Sequence, residues 1–370
     1  MLKVNKLKKI MKNKTIITVT GIRPDFIRMS EIFKKLDENF NHILIHTGQH
    51  FDRLLSDIFF EELEIRKPDY NLEIGGLGKE HFHQTSDLSV KLIELIRRDN
   101  LNPNLILFLG DSNSVVSAVS LKKEGYKIGH IEAGMRSYDK RMLEEINRIV
   151  CDHCSDFLFV YHENYKKKAL KENINEDLIF VVGNTIVEVS NKVKFDHNPS
   201  NNMILLDIHR PENFKYKDRL ENIIYYTNTM SKLYNLPVKM LSFGRTMKSI
   251  SEYEIDLGDI EVVDLMPFKK YVECVYNSKF IISDSGTAQE EPALMNTPVI
   301  VPRDFTERPE SVENNCSFML NVNDKVNDTI EKSKIWLDNN FTGKITINQE
   351  WLGDGKTAEK IIQIIKNSNI

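Results

Sequence analysis

The sequence predicts an α/β protein of two doubly wound, Rossmann-like domains with a cleft between them. Apolar strand patterns alternate with amphipathic helical patterns along most of the chain, which is typical of parallel sheets covered by helices on both faces. This alternation stops at a polar stretch, residues 196–202, and then starts again. The chain has 370 residues, which is too long for one ordinary hydrophobic core.

The first half of the chain contains six strand patterns and five helical patterns. β-Branched and apolar runs predict strands at residues 15–20, 42–48, 105–109, 127–131, 156–161 and 179–182. Apolar residues at helical spacing predict helices at residues 23–38, 51–63, 81–99, 113–123 and 141–153. We therefore expect a first domain at residues 14–185.

The second half repeats the alternation. It predicts strands at residues 203–208, 238–243, 261–265, 280–283 and 298–302. It predicts helices at residues 216–234, 246–253, 269–276, 326–337 and 356–370. We expect a second domain at residues 186–355, followed by the last helix, and a ligand site in the cleft between the two domains.

The composition indicates a folded, soluble protein. Hydrophobic residues make up 41% and charged residues 28% of the chain, and four cysteines are too few for a disulfide framework. The net charge of −4 argues against a nucleic-acid-binding surface, which needs a concentrated basic face. No apolar stretch is long enough for a membrane span, and the lysine-rich residues 1–13 lack the apolar run of a signal peptide. We therefore expect a cytoplasmic protein with a solvated N-terminal extension and no membrane partner.

Acidic residues stand where the predicted strands of the first domain end. Asp111 follows one strand and Glu132 follows another, while Glu144 and Glu145 begin the next helix. Open α/β sheets bind ligands at the carboxyl ends of their strands, so these side chains are candidates for acid–base catalysis. Spacing alone leaves a structural alternative open, because Asp111 fits a helix N-cap and Glu144 fits an ion pair with Arg148.

Two glycine turns are candidates for binding phosphate. Arg23 follows Gly21 at the first strand-to-helix turn, where the free N–H groups of a helix favour an anion. Ser285 and Gly286 form a similar turn in the second domain, and Glu291, further on, is placed to bind ribose hydroxyls. The alternatives are an ordinary glycine turn with a solvated arginine and a plain helix-capping motif.

One histidine and one cysteine motif complete the set of candidates. His209 ends the first strand of the second domain beside Arg210, and this position favours a functional role over a structural one. The segment 151–154, Cys-Asp-His-Cys, contains metal-ligand types, but it lies in a predicted helix and no second ligand pair follows at zinc spacing. We therefore predict no metal site.

The motifs of the chain form an ordered series from about Thr15 to the C-terminus. They are Gly-Ile-Arg-Pro-Asp (21–25), His-Thr-Gly-Gln-His (46–50), Gly-Asp-Ser (110–112), His-Ile-Glu-Ala-Gly-Met-Arg (130–136), Glu-Glu-Ile-Asn-Arg (144–148), Gly-Asn-Thr (183–185), His-Arg-Pro-Glu-Asn (209–213), Ser-Asp-Ser-Gly (283–286), Gln-Glu-Glu-Pro (289–292) and Thr-Glu-Arg-Pro-Glu (306–310). This series resembles the non-hydrolysing UDP-N-acetylglucosamine 2-epimerase family. The family has the two-domain glycosyltransferase-B fold, in which the last helix, residues 356–370, would cross back to the first domain.

The resemblance implies roles for particular residues. It implies three catalytic carboxylates and a catalytic histidine, which are Asp111, Glu132, Glu144 and His209. It implies contacts to the diphosphate, ribose and uracil of UDP from Arg23, Arg28, Ser285, Gly286, Glu291 and Tyr271. The chain departs from the family where lysine, arginine and glycine are replaced by Arg28, Pro211 and Thr287.

The implied reaction inverts C2 of a UDP-2-acetamido sugar with no cofactor and no metal. The family eliminates UDP across C1–C2 and adds it back to the resulting glycal. The implied substrates are UDP-GlcNAc or a UDP-2-acetamido-2,6-dideoxy-L-hexose, because segments such as 58–63 resemble the branch that acts on 6-deoxy sugars. We expect a homodimer that makes precursors for surface glycans. The alternatives are a hydrolysing epimerase, a glycosyltransferase of the same fold, and a non-catalytic nucleotide-sugar binding protein.

Overall fold

A computed structural model describes residues 14–48, 57–75, 80–193, 198–321, 324–342 and 347–370, with the side chains of the second range described from Phe60 onward. The N-terminal extension, the first part of the helix predicted at residues 51–63, and two residues of the motif at 46–50 lie outside these ranges. Within them, no helix is long and apolar enough to cross a membrane.

The first unit contains, among its described residues, a parallel sheet of seven strands in the order β3-β2-β1-β4-β5-β6-β7. The strands are β1 Thr15–Thr20, β2 Asn41–His46, β3 Tyr70–Asn71, β4 Leu105–Leu109, β5 Ile128–Ile131, β6 Phe157–Val160 and β7 Ile179–Val181. The helices are α1 Arg23–Asn39, α2 Asp57–Glu62, α3 His81–Arg98, α4 Ala118–Lys123, α5 Leu143–Cys154, α6 Glu163–Lys171 and α7 Thr185–Ser190. Strands β1 and β4 are buried over their whole length, as expected for the centre of a sheet covered on both faces.

The second unit contains, in the described part of the chain, a parallel sheet of six strands in the order β10-β9-β8-β11-β12-β13. The strands are β8 Met203–Asp207, β9 Val238–Leu241, β10 Glu261–Val263, β11 Ser278–Ser283, β12 Val299–Val301 and β13 Ser317–Met319. The helices are α8 Pro211–Phe214, α9 Lys217–Tyr234, α10 Gly244–Glu252, α11 Phe268–Asn277, α12 Pro309–Glu313 and α13 Val326–Phe341. The predicted α/β class with two doubly wound parallel sheets is confirmed.

Each sheet has a point where the strand order reverses. This point lies between β1 and β4 in the first unit and between β8 and β11 in the second. The loops that follow two such strands diverge and leave a crevice where α/β proteins bind their ligands. Predicted site residues follow all four strands, namely Arg23, Asp111, His209 and Ser285.

Several local predictions need correction. The helix predicted at residues 113–123 is a 3-10 turn, Asn113–Ser117, followed by α4. The sequence did not predict the strands β3 and β13 or the helices α6, α7, α8 and α12. Helix α6 is rich in lysine and buries Tyr165 and Ala169, so its apolar periodicity is weak.

The last helix, α14 (Thr357–Asn367), belongs to the first unit. The Oγ1 atom of Thr357 donates a hydrogen bond to the carbonyl oxygen of Val182 at 3.2 Å. A carboxylate oxygen of Glu188 accepts the backbone N–H of Ala358 at 3.1 Å. These bonds fix the start of α14. The helix then packs against α1 and α7 and buries its isoleucines.

The two units divide after Asn191 and before Leu352, whereas the sequence placed these boundaries at residues 185 and 355. The first difference arises because α7 packs against α1 and so belongs to the first unit. The second arises because the returning chain already touches the first unit before α14 begins. A Cβ atom on Gly353 would lie 2.9 Å from the Cα atom of Gly183, so this approach requires glycine.

Replacing Ile361 by alanine should destabilise the first unit, because this side chain is fully buried on α14. Such a truncation costs about 2–5 kcal/mol. Urea denaturation should show the loss in the free energy of unfolding, and amide hydrogen exchange in α1 should become faster. The exposed Gln363→Ala change on the same helix is the matched control. Unchanged exchange in α1 for Ile361→Ala would contradict the proposed support of α1 by α14.

Glu188 should make stability depend on pH. Burial raises the pKa of this carboxyl from 4.5 to about 7, although its bond from Ala358 opposes the change. The folded protein therefore binds the proton more tightly than the unfolded chain does, so the free energy of unfolding should fall as pH rises from about 4.5 to about 7. Glu188→Gln keeps an acceptor for Ala358 but cannot titrate, so its melting temperature should vary less across this window.

The matched control for this experiment is Glu94→Gln, which changes an exposed carboxyl on α3 of the same unit. Its pH profile should follow that of the wild type. If Glu188→Gln and Glu94→Gln gave the same profile, the pH dependence would have another origin.

Candidate active site

The turn after β1 buries a carboxyl group. Helix α1 begins at Arg23, which is half-buried, and the Asp25 carboxylate turns back to accept the backbone N–H of Gly21 at 2.7 Å. Burial raises the pKa of Asp25 to about 7, and repulsion from Asp111 and Glu132 adds to the effect. Asp25 can therefore hold a proton near neutral pH, within electrostatic range of two predicted catalytic residues.

Glu132 follows β5 in an unusual backbone conformation. Its φ of 70° lies in the left-handed region, a strain of order 1–3 kcal/mol that is typical of functional sites. The side chain is buried, pairs with Arg28, and accepts the Tyr161 hydroxyl at 3.4 Å. Arg28, which the resemblance assigned to UDP, thus lies beside a predicted catalytic carboxylate.

Asp111 follows β4 and is held through two side chains of α5. It forms an ion pair with Arg148, whose guanidinium is fully buried and also donates to Glu145 at 2.9 Å. The Nδ2 atom of Asn147 donates to the Asp111 carbonyl oxygen at 2.8 Å. The alternative role of Asp111 as a helix N-cap is wrong, because Ser112 is the N-cap of the turn that follows.

The two adjacent glutamates at the start of α5 have different environments. Glu145 is buried, and its two oxygens accept the backbone N–H groups of Ser137 and Tyr138, both at 2.9 Å. Glu145 therefore anchors the loop that precedes α5. Glu144 is half-buried in the first turn of the helix and keeps surface that a substrate could reach.

A buried chain of charges begins at His130 in β5. Its Nε2 atom lies 2.7 Å from the carbonyl oxygen of Gly110, and its Nδ1 atom lies 2.6 Å from a carboxylate oxygen of Asp152. Because both neighbours accept hydrogen bonds, both ring nitrogens donate and the imidazole is charged. Burial opposes this charge, but Cys151 and Asp152 raise the pKa of His130 well above its usual value.

The same chain of charges continues from Asp152 through Arg136 to Glu172. The second carboxylate oxygen of Asp152 accepts the backbone N–H of Gly134 at 3.0 Å and pairs with Arg136 at 2.8 Å. Arg136 pairs in turn with Glu172 at 2.6 Å, at the C-terminal end of α6. Asp152 is therefore occupied by internal partners, which gives segment 151–154 a structural role and disfavours a metal site there.

In the second unit, His209 follows β8 and packs its ring on Phe243, with 4.8 Å between the ring centroids. Its Nδ1 atom lies 2.9 Å from an oxygen of Asp207 and 3.4 Å from an oxygen of Asp284. Burial and Arg210 lower the pKa of His209, but the two carboxylates outweigh them and raise it above the usual 6.5. The ring is therefore a candidate cation at neutral pH.

The donors around Asp284 do not fit a metal ion. Its carboxylate lies within 4.8 Å of the ligand atoms of Asp207 and His209, a spacing at which metal ligands occur. However, the Asp284 oxygens already accept the backbone N–H groups of His209 and Arg210 and the Nδ2 group of Asn213, at 2.8 to 3.2 Å. Asp284 is thus an anchor for the loop that carries His209.

The turn after β11 differs from its prediction. Two short 3-10 turns, Thr287–Gln289 and Pro292–Met295, follow Ser285 and Gly286 in place of a regular helix. Neither turn has a side-chain cap, so the helix-capping alternative is also wrong. The Oγ atom of Ser285 instead lies 3.0 Å from the Oγ1 atom of Thr287. This turn can therefore bind an anion through loop N–H and hydroxyl groups, but it lacks the dipole of a long helix.

A buried ion network supports this turn. A Cβ atom on Gly286 would lie 2.6 Å from the Arg308 guanidinium and 2.8 Å from the Glu307 carboxylate, so a larger residue here would displace these two charged groups. Arg308 and Glu307 form an ion pair, and Glu307 also accepts from Arg303 at 3.1 Å. All three side chains are buried, and the charged ends of Arg308 and Glu307 pack directly beside Gly286.

The predicted ribose and uracil contacts lie in the same neighbourhood. Glu291 is buried and Tyr271 is half-buried. Burial and the carboxylates of Asp207 and Glu291 raise the pKa of Tyr271 well above its usual value, so the phenol stays neutral. The second unit therefore groups Tyr271, Ser285, Gly286, Glu291 and His209, while Arg23, Arg28, Asp111, Glu132 and Glu144 belong to the first unit.

Two residues of these sites were missing from the sequence-based candidates. Asp25 was visible as the last residue of the Gly-Ile-Arg-Pro-Asp motif, but its burial was not. Asp207 precedes His209 by two residues, and side chains at this spacing on an extended chain point to the same side. The alternation of side chains along a strand could therefore have predicted that Asp207 lies beside His209.

Comparisons with known proteins agree with this arrangement. Residues 34–366 match a family model described as UDP-N-acetylglucosamine 2-epimerase. A UDP-N-acetylglucosamine 2-epimerase of Methanococcus maripaludis is 33% identical over 94% of this chain and 97% of that protein. A UDP-2,3-diacetamido-2,3-dideoxy-D-glucuronate 2-epimerase of Pseudomonas aeruginosa is 32% identical over 80% of this chain and 85% of its own length.

A solved structure shows the same fold. The Methanocaldococcus jannaschii UDP-GlcNAc 2-epimerase, crystallised in complex with UDP-GlcNAc and UDP, is 31% identical to this chain. It superposes with a TM-score of 0.86 over 96% of this chain and 100% of that one. The match over nearly the whole length, together with these relatives, shows that the chain belongs to the UDP-N-acetylglucosamine 2-epimerase family.

Proposed function

We propose that the protein is a non-hydrolysing epimerase that inverts C2 of a UDP-2-acetamido sugar. The observation that carries the proposal is the set of acidic side chains after β1, β4 and β5, which are Asp25, Asp111 and Glu132. Two of them pair with arginines and the third has a raised pKa, so the set offers both proton acceptors and a proton donor near neutral pH. Family membership supports the same reaction.

The chemistry requires elimination because the C2 proton, beside an N-acetyl group, is very weakly acidic. A carboxylate removes this proton, and the electrons of the C2–H bond form a C1–C2 double bond. The C1–O bond breaks, and its electron pair leaves with UDP. A carboxyl group on the opposite face then protonates C2 of the glycal, and the UDP oxygen bonds to C1 again. Only the configuration at C2 changes, so the atoms balance without an oxidant or a reductant.

The residues of the first unit are suited to the proton transfers. We assign them to Asp111, Glu132 and Glu144, with Asp25 as an additional proton-holding group beside two of them. Glu132 sits in a strained conformation and is fixed by Arg28, so its oxygens are held in one orientation.

The residues of the second unit are suited to UDP. We assign the diphosphate to His209, Ser285 and Gly286, with Arg23 of the first unit as a further contact. We assign the ribose to Glu291 and the uracil to Tyr271. The cation at His209 would stabilise the charge that develops on the departing diphosphate.

The identity of the sugar is the finer part of the proposal. The Pseudomonas relative is named for a diacetamido glucuronate, so members of this family differ in the groups at C3 and C6. We propose UDP-GlcNAc or a UDP-2-acetamido-2,6-dideoxy-L-hexose as the substrate. We further propose a cytoplasmic homodimer that supplies precursors for surface glycans.

Epimerisation in heavy water should place deuterium at C2 of the product, because the removed proton exchanges with solvent before C2 is protonated again. Proton NMR of parallel reactions with the two candidate sugars, each beside a reaction without enzyme, measures this. Release of the free 2-epimer would indicate a hydrolysing epimerase. Transfer of the sugar to an acceptor would indicate a glycosyltransferase. UDP binding without exchange in any UDP-HexNAc would refute an epimerase.

The variants Asp111→Asn, Glu132→Gln and Glu144→Gln should each lower kcat by about 10²–10⁴-fold, because each removes a group that transfers protons. UDP affinity, measured by isothermal titration calorimetry, should stay near the wild-type value, since the UDP contacts are mostly in the second unit. The matched control is Glu176→Gln, an exposed carboxyl of the first unit that pairs with Lys166. Normal turnover in all three variants would place the proton transfers elsewhere.

A further inference from the structure

We propose that Asp207 is a positioning residue, which holds His209 as a charged imidazolium with its Nε2 atom turned toward the ligand. The inference rests on the proposed role of His209 in binding the diphosphate. It adds a function for a carboxylate that does not itself touch the substrate.

The contacts of Asp207 determine the protonation of the Nδ1 atom of His209. Asp207 ends β8 and is buried, and one of its oxygens lies 2.9 Å from the Nδ1 atom of His209. Its other oxygen accepts the Ser283 hydroxyl at 3.1 Å, which fixes the orientation of the carboxylate. An ionised carboxylate only accepts hydrogen bonds, so Nδ1 must carry a proton. The attraction between the two groups is strong because the carboxylate is shielded from water.

The Nε2 atom of His209, on the side of the ring away from Asp207, is available to a ligand. The side chain of His209 is 31% exposed. Among the residues that the structure describes, all of its ring contacts to hydrogen-bonding groups use Nδ1, and none uses Nε2. When both nitrogens are protonated, Nε2 can donate a charge-assisted hydrogen bond to a phosphate oxygen. This bond would strengthen as the C1–O bond breaks and negative charge accumulates on UDP.

Asp207 is better placed for this role than the other carboxylate nearby. Asp284 lies farther from Nδ1, at 3.4 Å, and its oxygens are already occupied by backbone and amide N–H groups. Arg210 repels a cation at His209, and Phe243 on the ring face is uncharged. The negative charge of Asp207 is therefore the main one available to hold the proton.

The first test follows the protonation of His209 directly in the full-length protein. An NMR titration of the histidine Cε1–H signals, with His209→Gln used to identify the signal, should show His209 titrating above pH 6.5 in the wild type. In Asp207→Asn, which keeps the shape of the side chain and loses its charge, the midpoint should fall by about one to three pH units. The matched control is Asp256→Asn, which changes an exposed carboxyl in the turn before β10 and should leave the signal unchanged.

The second test measures how the charge on His209 affects UDP binding and turnover. With UDP as the probe, calorimetry at pH 7.5 should show about tenfold weaker binding for Asp207→Asn than for the wild type or Asp256→Asn. The basic limb of the pH profile of kcat on the epimerised sugar should move to lower pH in the same variant. A general loss of folding would not shift this limb selectively.

The outcomes separate this inference from the proposed function. If His209 titrates at or below pH 6.5 in the wild type, or at the same pH in wild type and Asp207→Asn, the inference is overturned even if Asp207→Asn folds poorly. If no UDP-HexNAc is epimerised, the proposed function fails, and the NMR titration and UDP binding still decide the role of Asp207.

Discussion

The arrangement of the first unit depends on the buried pair of His130 and Asp152. The imidazolium holds the carbonyl of Gly110, directly before Asp111, while the carboxylate holds the backbone of Gly134, two residues after Glu132. Removing one member of such a buried pair typically costs about 3–5 kcal/mol, because the other charge is left uncompensated. One interaction therefore fixes two of the strand-end loops that carry the proposed catalytic carboxylates.

The carboxylates at these loops are fixed by different kinds of partner. Asp111 and Glu132 each pair with a buried arginine, whereas Asp25 accepts backbone N–H groups and forms no ion pair with any residue that the structure describes. This contrast is the physical reason why the pKa of Asp25 rises to about 7. A site that must both remove and return a proton benefits from carboxyl groups whose environments differ in this way.

Much of the fold was readable from the sequence because it depends on local patterns. The prediction for β4 agrees at both ends, since five consecutive apolar residues between polar turns permit little else. The two-residue strand β3 and the lysine-rich helix α6 carry too little periodicity to be seen. Pattern could also not separate Glu144 from Glu145, because their difference arises from backbone N–H groups of a folded loop.

The sequence also could not reveal contacts between side chains that are far apart along the chain. His130 and Asp152 are 22 residues apart and meet because α5 packs on β5. Asp207 and Asp284 are separated along the chain by β9 and β10, and they meet because β8 pairs with β11. The error at the turn after β11 has a functional consequence. Without a regular helix after Ser285, the positive end of a long helix dipole is not available to an anion, and short 3-10 turns align few peptide groups. If the second unit binds the diphosphate as proposed, the positive charge that the ligand needs would come from side chains. The proposed protonation of His209, and the carboxylate of Asp207 that would maintain it, therefore carry more of the binding than the sequence alone suggested.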